Sequence, residues 1–387
     1  MAALPRFNTP PQVIIGAGAS DLVGEEAKRL KARRVLLVTE PGIVRMGVAD
    51  QVLSSLSKAG VAAATYDKVQ PDPTDANVAE GLEIFRREGC SVVVGVGGGS
   101  PTDAAKSIAV MSANPGAIAD YMGYHKVPNS GAPVIAIPTT AGTGSEVTKV
   151  VVIGDTKRDI KMMCLDLHFL AAAALVDYKL TMSMPKALTA NVGLDSLVHA
   201  VEAYISRKAH PLTDVLALAA IRKISRNIRT AWAEPGNESA REAMMLGATM
   251  GGMAFSNSSV ALVHGMSRPL GALFHLHHGL SNAVLIPAVM SYNAPACAAR
   301  FADIARAMGL DVTGLDAAEA AQRAVAALVK LNADLQVPRL RDCNIPRDAL
   351  EKALPKMAAD ALASGSPANN PRVPTAEEIV ELYRQAY

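Results

Sequence analysis

Four residues in two clusters have the types and spacing of a metal-binding set. Asp195 and His199 stand in G-L-D-S-L-V-H-A, and His264 and His278 lie within H-G-M-S-R-P-L-G-A-L-F-H-L-H-H-G. A carboxylate and an imidazole four residues apart share one face of a helix. Two histidines from a distant segment would complete a tetrahedral or partly open cage. Three imidazoles and one carboxylate suit a borderline divalent ion, Fe(II) or Zn(II), and not Mg or Ca. One Asp-x-x-x-His alone fits a solvated helix face as well. The second cluster changes the weighing, because four of the 8 histidines in the chain fall between His264 and His278. His275 and His277 are weaker candidates, expected to line a cleft or to pack.

Two loops have the composition of nucleotide-binding turns. The apolar run Ser91–Val96 enters Gly97-Gly98-Gly99-Ser100, and a helical stretch follows from Thr102. A glycine turn between strand and helix lets backbone approach a phosphate, and the helix N-terminus supplies N–H groups and a favourable dipole. The pattern is neither G-x-G-x-x-G nor a P-loop, and by itself fits a plain tight turn. The second loop, Pro138 through Glu146 (P-T-T-A-G-T-G-S-E), crowds hydroxyls and glycines after the strand Pro133–Ile137. Loops following two parallel strands of one sheet share an edge, so the pair favours a dinucleotide. The strand Arg34–Val38 ends in Thr39-Glu40. An acid there accepts hydrogen bonds from an adenosine ribose and repels a 2′-phosphate; the alternative is a solvated loop acid.

These residues need elements to hold them. Up to about residue 185, short β-rich runs alternate with amphipathic stretches. Val13–Ile15, Arg34–Val38, Val61–Tyr66, Ser91–Val96 and Pro133–Ile137 read as strands, with Val150–Ile153 and Ile160–Met163 beyond them. Helical stretches lie near Asp21–Leu30, Ala49–Ala59, Val78–Glu88 and Thr102–Met111. Such alternation predicts a parallel sheet covered on both faces. After Pro185 the chain turns rich in Ala, Leu and Met at helical spacing. Ala187–Ser206, Leu212–Thr230, Glu238–Ser256, Ala318–Leu331 and Ala376–Ala386 read as helices. The expected organisation is an α/β domain over 1–185 and an all-helical domain over 186–387, with Asp195 and His199 on the first long helix of the latter.

Composition narrows the function classes. Half of the 387 residues are hydrophobic and the net charge is +2, with no basic stripe of the kind that nucleic acid requires. No apolar run reaches the roughly 18 residues that span a bilayer. The start, M-A-A-L-P-R-F-N-T-P-P-Q, has no signal-peptide pattern. Cys90, Cys164, Cys297 and Cys343 form no C-x-x-C. A reducing, cytoplasmic setting is expected.

In combination, these motifs resemble the iron-containing alcohol dehydrogenase family over nearly the whole chain. The match runs through Gly97–Ser100 with Asp103, Pro138–Glu146, Lys161, Gly193-Leu194-Asp195 with His199, His264 through His278, and Asn370-Pro371-Arg372. The resemblance implies an N-terminal Rossmann-like dinucleotide-binding domain, a helical C-terminal domain, a cleft between them and a homodimer, an architecture shared with dehydroquinate synthase. It implies Fe(II), with Zn(II) as the alternative. The reaction implied is reversible hydride transfer between a small alcohol and NAD, with NADP less favoured, the metal acting as a Lewis acid on the alcohol oxygen. By the same resemblance Asp195, His199, His264 and His278 are the metal ligands. Gly98, Gly99 and Ser100 contact the pyrophosphate, and Asp103, Thr139, Thr140, Thr143 and Lys161 contact the cofactor. Asp72 belongs to an adenosine-side loop, and Glu40 is the ribose acid.

One departure stands out. Many members carry a second histidine four residues after the ligand matching His264, and here that residue is Arg268. A guanidinium is no general base, so it either meets an anionic group or holds a loop. Phe255 and Phe274 are read either as substrate contacts or as ordinary core. Competing readings are a glycerol-dehydrogenase-like enzyme, a dehydroquinate-synthase-like lyase, and a non-catalytic nucleotide-binding protein.

Overall fold

The structure is a computed structural model and describes residues 4–387. The chain divides into two compact units, one over Asn8–Ser183 and one from Met184 to Tyr387 that also takes in residues 4–7.

The first unit contains β1 (Val13–Ile15), β2 (Arg34–Val38), β3 (Ala62–Tyr66), β4 (Val92–Gly97), β5 (Gly123–Tyr124), β6 (Val134–Pro138), β7 (Val150–Asp155), β8 (Ile160–Leu165) and β9 (Ala173–Val176). Its helices are α1 (Val23–Arg29), α2 (Pro41–Arg45), α3 (Val48–Lys58), α4 (Asp75–Arg87) and α5 (Gly99–Met111). Six strands form one sheet in the order β1-β9-β6-β4-β2-β3, parallel throughout. Helices must cover both faces of such a sheet. This is why β4 is buried at every position and carries only valine and glycine. Alternate side chains enter different cores: Leu36, Val38 and Val93 pack on one side with Ile108, and Val35, Leu37, Val92 and Val94 on the other with Val52.

Strand order places the candidate nucleotide loops. From β2 the chain moves outward to β3, then returns to lay β4 on the opposite side of β2 and continues to β6 and β9. The order reverses between β2 and β4, and open α/β sheets bind ligands beyond the carboxyl ends of the strands at such a switch point. Thr39-Glu40, Gly97–Ser100 and Pro138–Glu146 follow β2, β4 and β6, three adjacent strands.

The segments Val150–Ile153 and Ile160–Met163 are strands, but not of the main sheet. They lie in the antiparallel pair β7–β8, which with β5 forms a separate three-stranded sheet. The linker is too short for the crossover that parallel pairing needs. It turns on Asp155, whose Oδ1 accepts from the backbone N–H groups of Lys157 and Arg158 at 2.9 and 3.0 Å.

The second unit holds α6 (Lys186–Ile205), α7 (Pro211–Ala233), α8 (Glu238–Asn257), α9 (Leu262–Phe274), α10 (His278–Asn293), α11 (Ala298–Met308), α12 (Ala317–Asp334), α13 (Arg347–Ala363) and α14 (Ala376–Ala386), and no strand among the described residues. Periodicity reveals α6, α7, α8, α12 and α14. It misses α9, α10, α11 and α13, three of which carry an internal proline: Pro269, Pro287 and Pro355. Proline removes an N–H and reads locally as a helix breaker, and the tertiary packing overrides that signal. Among the described residues no helix is long and apolar enough to cross a membrane.

The Asn370-Pro371-Arg372 motif has a structural use. Asn370 and Asn293, both fully buried, exchange amide hydrogen bonds of 2.6 and 3.1 Å, and Asn370 also donates to the Arg372 carbonyl at 2.6 Å. The Arg372 guanidinium then lies over the Tyr292 ring, 4.2 Å from its centroid. The segment before α14 is thereby clamped to the end of α10. Asn370→Ala leaves the Asn293 amide buried without its partner, so we expect about 1–3 kcal/mol of lost stability, read as a lower urea midpoint with an unchanged slope.

Candidate functional site

Helix α6 presents Asp195 and His199 one turn apart, in a stretch where every residue from Val192 to Ile205 is buried. His264 lies in the first turn of α9. His278 is the first residue of α10, and only three residues separate the two helices. The turn between them is made by His275 in the left-handed conformation, at φ 54°. Gly279 then brings α10 against α6, because a Cβ there would stand 2.6 Å from the Asn191 carbonyl oxygen.

This geometry gathers Asp195, His199, His264 and His278 so that one ligand atom from each lies within 4.8 Å of the others. Asp195 Oδ1 is 3.9 Å from His199 Nε2, 3.5 Å from His264 Nε2 and 3.7 Å from His278 Nε2. A tetrahedron with bonds of about 2.1 Å has edges of about 3.4 Å, so the spacing fits Fe(II) or Zn(II) with slight contraction. Three of the ligands are buried, whereas the side chain of His278 is 39% exposed. The group is therefore reached by solvent from the His278 side. Phe255, His199 and His264 stack in a row, with centroid distances of 4.3 and 4.5 Å. Phe255 thus packs on a candidate ligand. Phe274 is half-buried, and His275 and His277 are exposed and outside the ligand group.

The electrostatics require positive charge at this point. Burial alone would raise the pKa of Asp195, but His199, His278 and His264 outweigh it and hold the carboxyl well below its usual range. Burial would likewise lower His264, yet its hydrogen bonds to Asp195 and Glu202 raise it to about 9. Carboxylates and imidazoles packed together away from water have to share a cation, either a proton or a metal ion.

Two residues of this site escaped the motif reading. Glu202, fully buried, accepts from His264 Nδ1 at 2.7 Å and from the backbone N–H groups of Ala261 and Val263 at 2.8 and 2.6 Å. Its signal in the sequence was a lone acid in the apolar run His199–Ile205, one turn beyond the ligand. Asn282 has its Nδ2 2.6 Å from Asp195 Oδ1 and 3.3 and 3.2 Å from His264 and His278 Nε2, so one amide donor faces three ligand atoms. Arg268, one turn after His264, donates to the Ser364 carbonyl at 3.5 Å.

In the sheet unit, Gly98 is the N-cap of α5 and Gly99 and Ser100 open its first turn, where backbone N–H groups lack intrahelical partners. A Cβ on Gly98 would stand 3.5 Å from Thr140 Oγ1, and one on Gly99 only 2.9 Å from Thr143 Cγ2. The glycine turn and the hydroxyl loop are therefore packed together, and Thr139 N donates to the Gly97 carbonyl at 2.9 Å.

Asp103 acts inside this assembly: its carboxylate accepts from Ser145 Oγ at 2.5 Å and from Val152 N at 2.8 Å. Lys106, fully buried, donates to the Thr148 carbonyl at 2.8 Å and to Ser145 Oγ at 3.2 Å. Burial lowers its pKa to about 8 against the raising influence of Asp103 and Glu146. Glu40 is half-buried at the end of β2, and burial raises its pKa. Asp72 and Lys161 pair with each other at 2.8 Å, which ties the loop before α4 to β8.

The chain matches known proteins along its whole length. Residues 10–178 match the profile of iron-containing alcohol dehydrogenases, and residues 189–387 that of the C-terminal part of the Fe-containing alcohol dehydrogenase family. It is 42% identical over 384 residues to 1,3-propanediol dehydrogenase of Klebsiella pneumoniae, covering 98% of each chain. It is 38% identical to the NAD-dependent methanol dehydrogenase of Bacillus methanolicus, over 99% of this chain and 100% of that one. A crystal structure of 1,3-propanediol oxidoreductase superposes with a TM-score of 0.97 at 41% identity, with full coverage of both chains. With the clustered Asp/His/His/His set, these matches establish that the chain belongs to the iron-containing alcohol dehydrogenase family.

Proposed function

We propose that this protein is an NAD-dependent dehydrogenase of small primary or secondary alcohols that holds one Fe(II), or Zn(II), on Asp195, His199, His264 and His278. The observation that carries the reading is the convergence of these four ligand atoms within 4.8 Å. A glycerol-dehydrogenase-like enzyme or a dehydroquinate-synthase-like lyase would fit the fold, but the family match favours the alcohol dehydrogenase. A nucleotide-binding protein without catalysis has no use for the ligand set. Relatives acting on 1,3-propanediol and methanol support short, polar alcohols. The resemblance further supports a cytoplasmic homodimer.

When bound, the ion supplies Lewis-acid polarisation of the alcohol or carbonyl oxygen. The rest of the chemistry falls to the chain. Gly98, Gly99 and Ser100 bind pyrophosphate through first-turn N–H groups. Thr140 and Thr143 place hydroxyls beside that turn, Thr139 joins it through its backbone N–H, and Asp103 fixes their loop through Ser145. Asp72 belongs to the adenosine-side loop, and Lys161, paired with it at 2.8 Å, contacts the cofactor. Glu40 accepts from the ribose hydroxyls. Phe255 keeps the His199 ring in register, and Arg268 holds the Ser364 loop instead of relaying protons. The hydroxyl proton leaves through water, a ribose hydroxyl or His277.

Anaerobically purified protein should carry about one divalent ion per chain and reduce NAD with small alcohols; metal-stripped protein should do neither until Fe(II) or Zn(II) is restored. His278→Ala should lower metal affinity and reduce turnover by at least about 100-fold, and full activity in that variant without metal would remove the ligand assignment. In cofactor competition, kcat/KM for NAD should exceed that for NADP, and Glu40→Gly should narrow the ratio. Equal efficiencies in the unaltered protein would refute the role of Glu40.

A further inference from the structure

We infer that Glu202 is the positioning residue of the metal centre: it fixes the His264 ring with Nε2 directed to the ion and supplies the second negative charge that a buried divalent cation requires. The inference rests on the ligand assignment above.

Three observations lead to it. Asp195, His199 and Glu202 occur at intervals of four and three residues on α6, so one helix face carries two ligands and the group that grips a third. The Glu202 carboxylate is fully buried and spends both oxygens on α9 and its approach: Oε1 on Val263 N at 2.6 Å, Oε2 on Ala261 N at 2.8 Å and on His264 Nδ1 at 2.7 Å. An ionised carboxylate only accepts, so Nδ1 is the protonated nitrogen and Nε2 offers its lone pair. This same Nε2 is the atom 3.5 Å from Asp195 Oδ1.

Charge balance at the site points to the same residue. His199 and His264 are almost wholly buried, as is Asp195, and neutral imidazoles bring no charge. Asp195 therefore balances half of a divalent ion, and an unbalanced charge out of water is costly. Glu202, one imidazole away, is a fully buried acid in contact with the ligand set. Its hydrogen bond also draws the Nδ1 proton toward the carboxylate, which makes Nε2 a stronger donor to the ion.

The test compares Glu202→Gln and Glu202→Asp with wild-type protein by cobalt binding. Chelator competition should give a cobalt Kd about 10–100-fold weaker for Glu202→Gln, together with a shifted visible cobalt spectrum, while NAD affinity stays at the wild-type value. Glu202→Asp keeps the charge and should bind cobalt more tightly than Glu202→Gln. In a His264→Ala background the substitution should change Kd far less, since its route through the imidazole is gone. A purely architectural role, capping α9, would lower the melting temperature of both variants and leave the cobalt Kd and spectrum unchanged; that result overturns the inference. Should neither variant fold, NMR of cobalt-loaded wild-type protein decides: a shifted His264 Nδ1–H signal protected from exchange is expected, and a rapidly exchanging one overturns it. Wild-type protein that takes up no cobalt would refute the ligand assignment itself, an outcome distinct from variants that bind like wild type.

Discussion

The helical unit depends on one electrostatic constraint: Asp195 and Glu202 lie buried beside three imidazoles and need a cation among them. Everything nearby serves that need. Helix α6 supplies both acids and one imidazole from a single face. The short connection between α9 and α10 returns the chain sharply enough to bring His264 and His278 to that face. Gly279 permits the approach, Phe255 stacks on the outer imidazole, and Asn282 lends a donor to three ligand atoms. A site of this kind is assembled by rigid packing of helices, which can hold ligand atoms to the tolerance that a metal demands.

The sheet unit follows another constraint, the pleat and twist of parallel strands. Once β2, β4 and β6 are neighbours, their carboxyl ends share an edge, and the reversal of strand order opens a crevice there. Local chemistry then specialises the edge. The polar cluster of Asp103, Ser145, Lys106 and Thr148 is buried under the hydroxyl loop and keeps it in place. Burying an ammonium is costly, and the cost is offset by four oxygen partners.

Residues that resemble one another in a motif therefore do different work. Asp103 and Lys106 stand three apart on one helix, and both turn inward to fasten a loop. Asn370-Pro371-Arg372, equally prominent as a motif, clamps a terminal helix far along the chain from any ligand. Arg268 reaches the Ser364 carbonyl at 3.5 Å.

The amino-acid sequence by itself determined the fold class, the change from alternating to helical pattern near Pro185, the four candidate ligands and the two nucleotide loops. These features rest on short-range rules: helical spacing, apolar runs and glycine turns. Tertiary structure alone decided the rest. The pairing of β7 with β8 follows from a turn whose length matters more than the composition of either strand. Helices α9, α10 and α13 form through their prolines because packing outweighs the lost hydrogen bonds. Asn282, Lys106 and the inward turn of Asp103 show no distinctive local spacing, and Glu202 offers only an acid one turn beyond His199, which does not reveal its partner on α9. Their roles depend on partners about 18 to 87 positions away in the chain, and only the folded chain brings such partners within hydrogen-bonding distance.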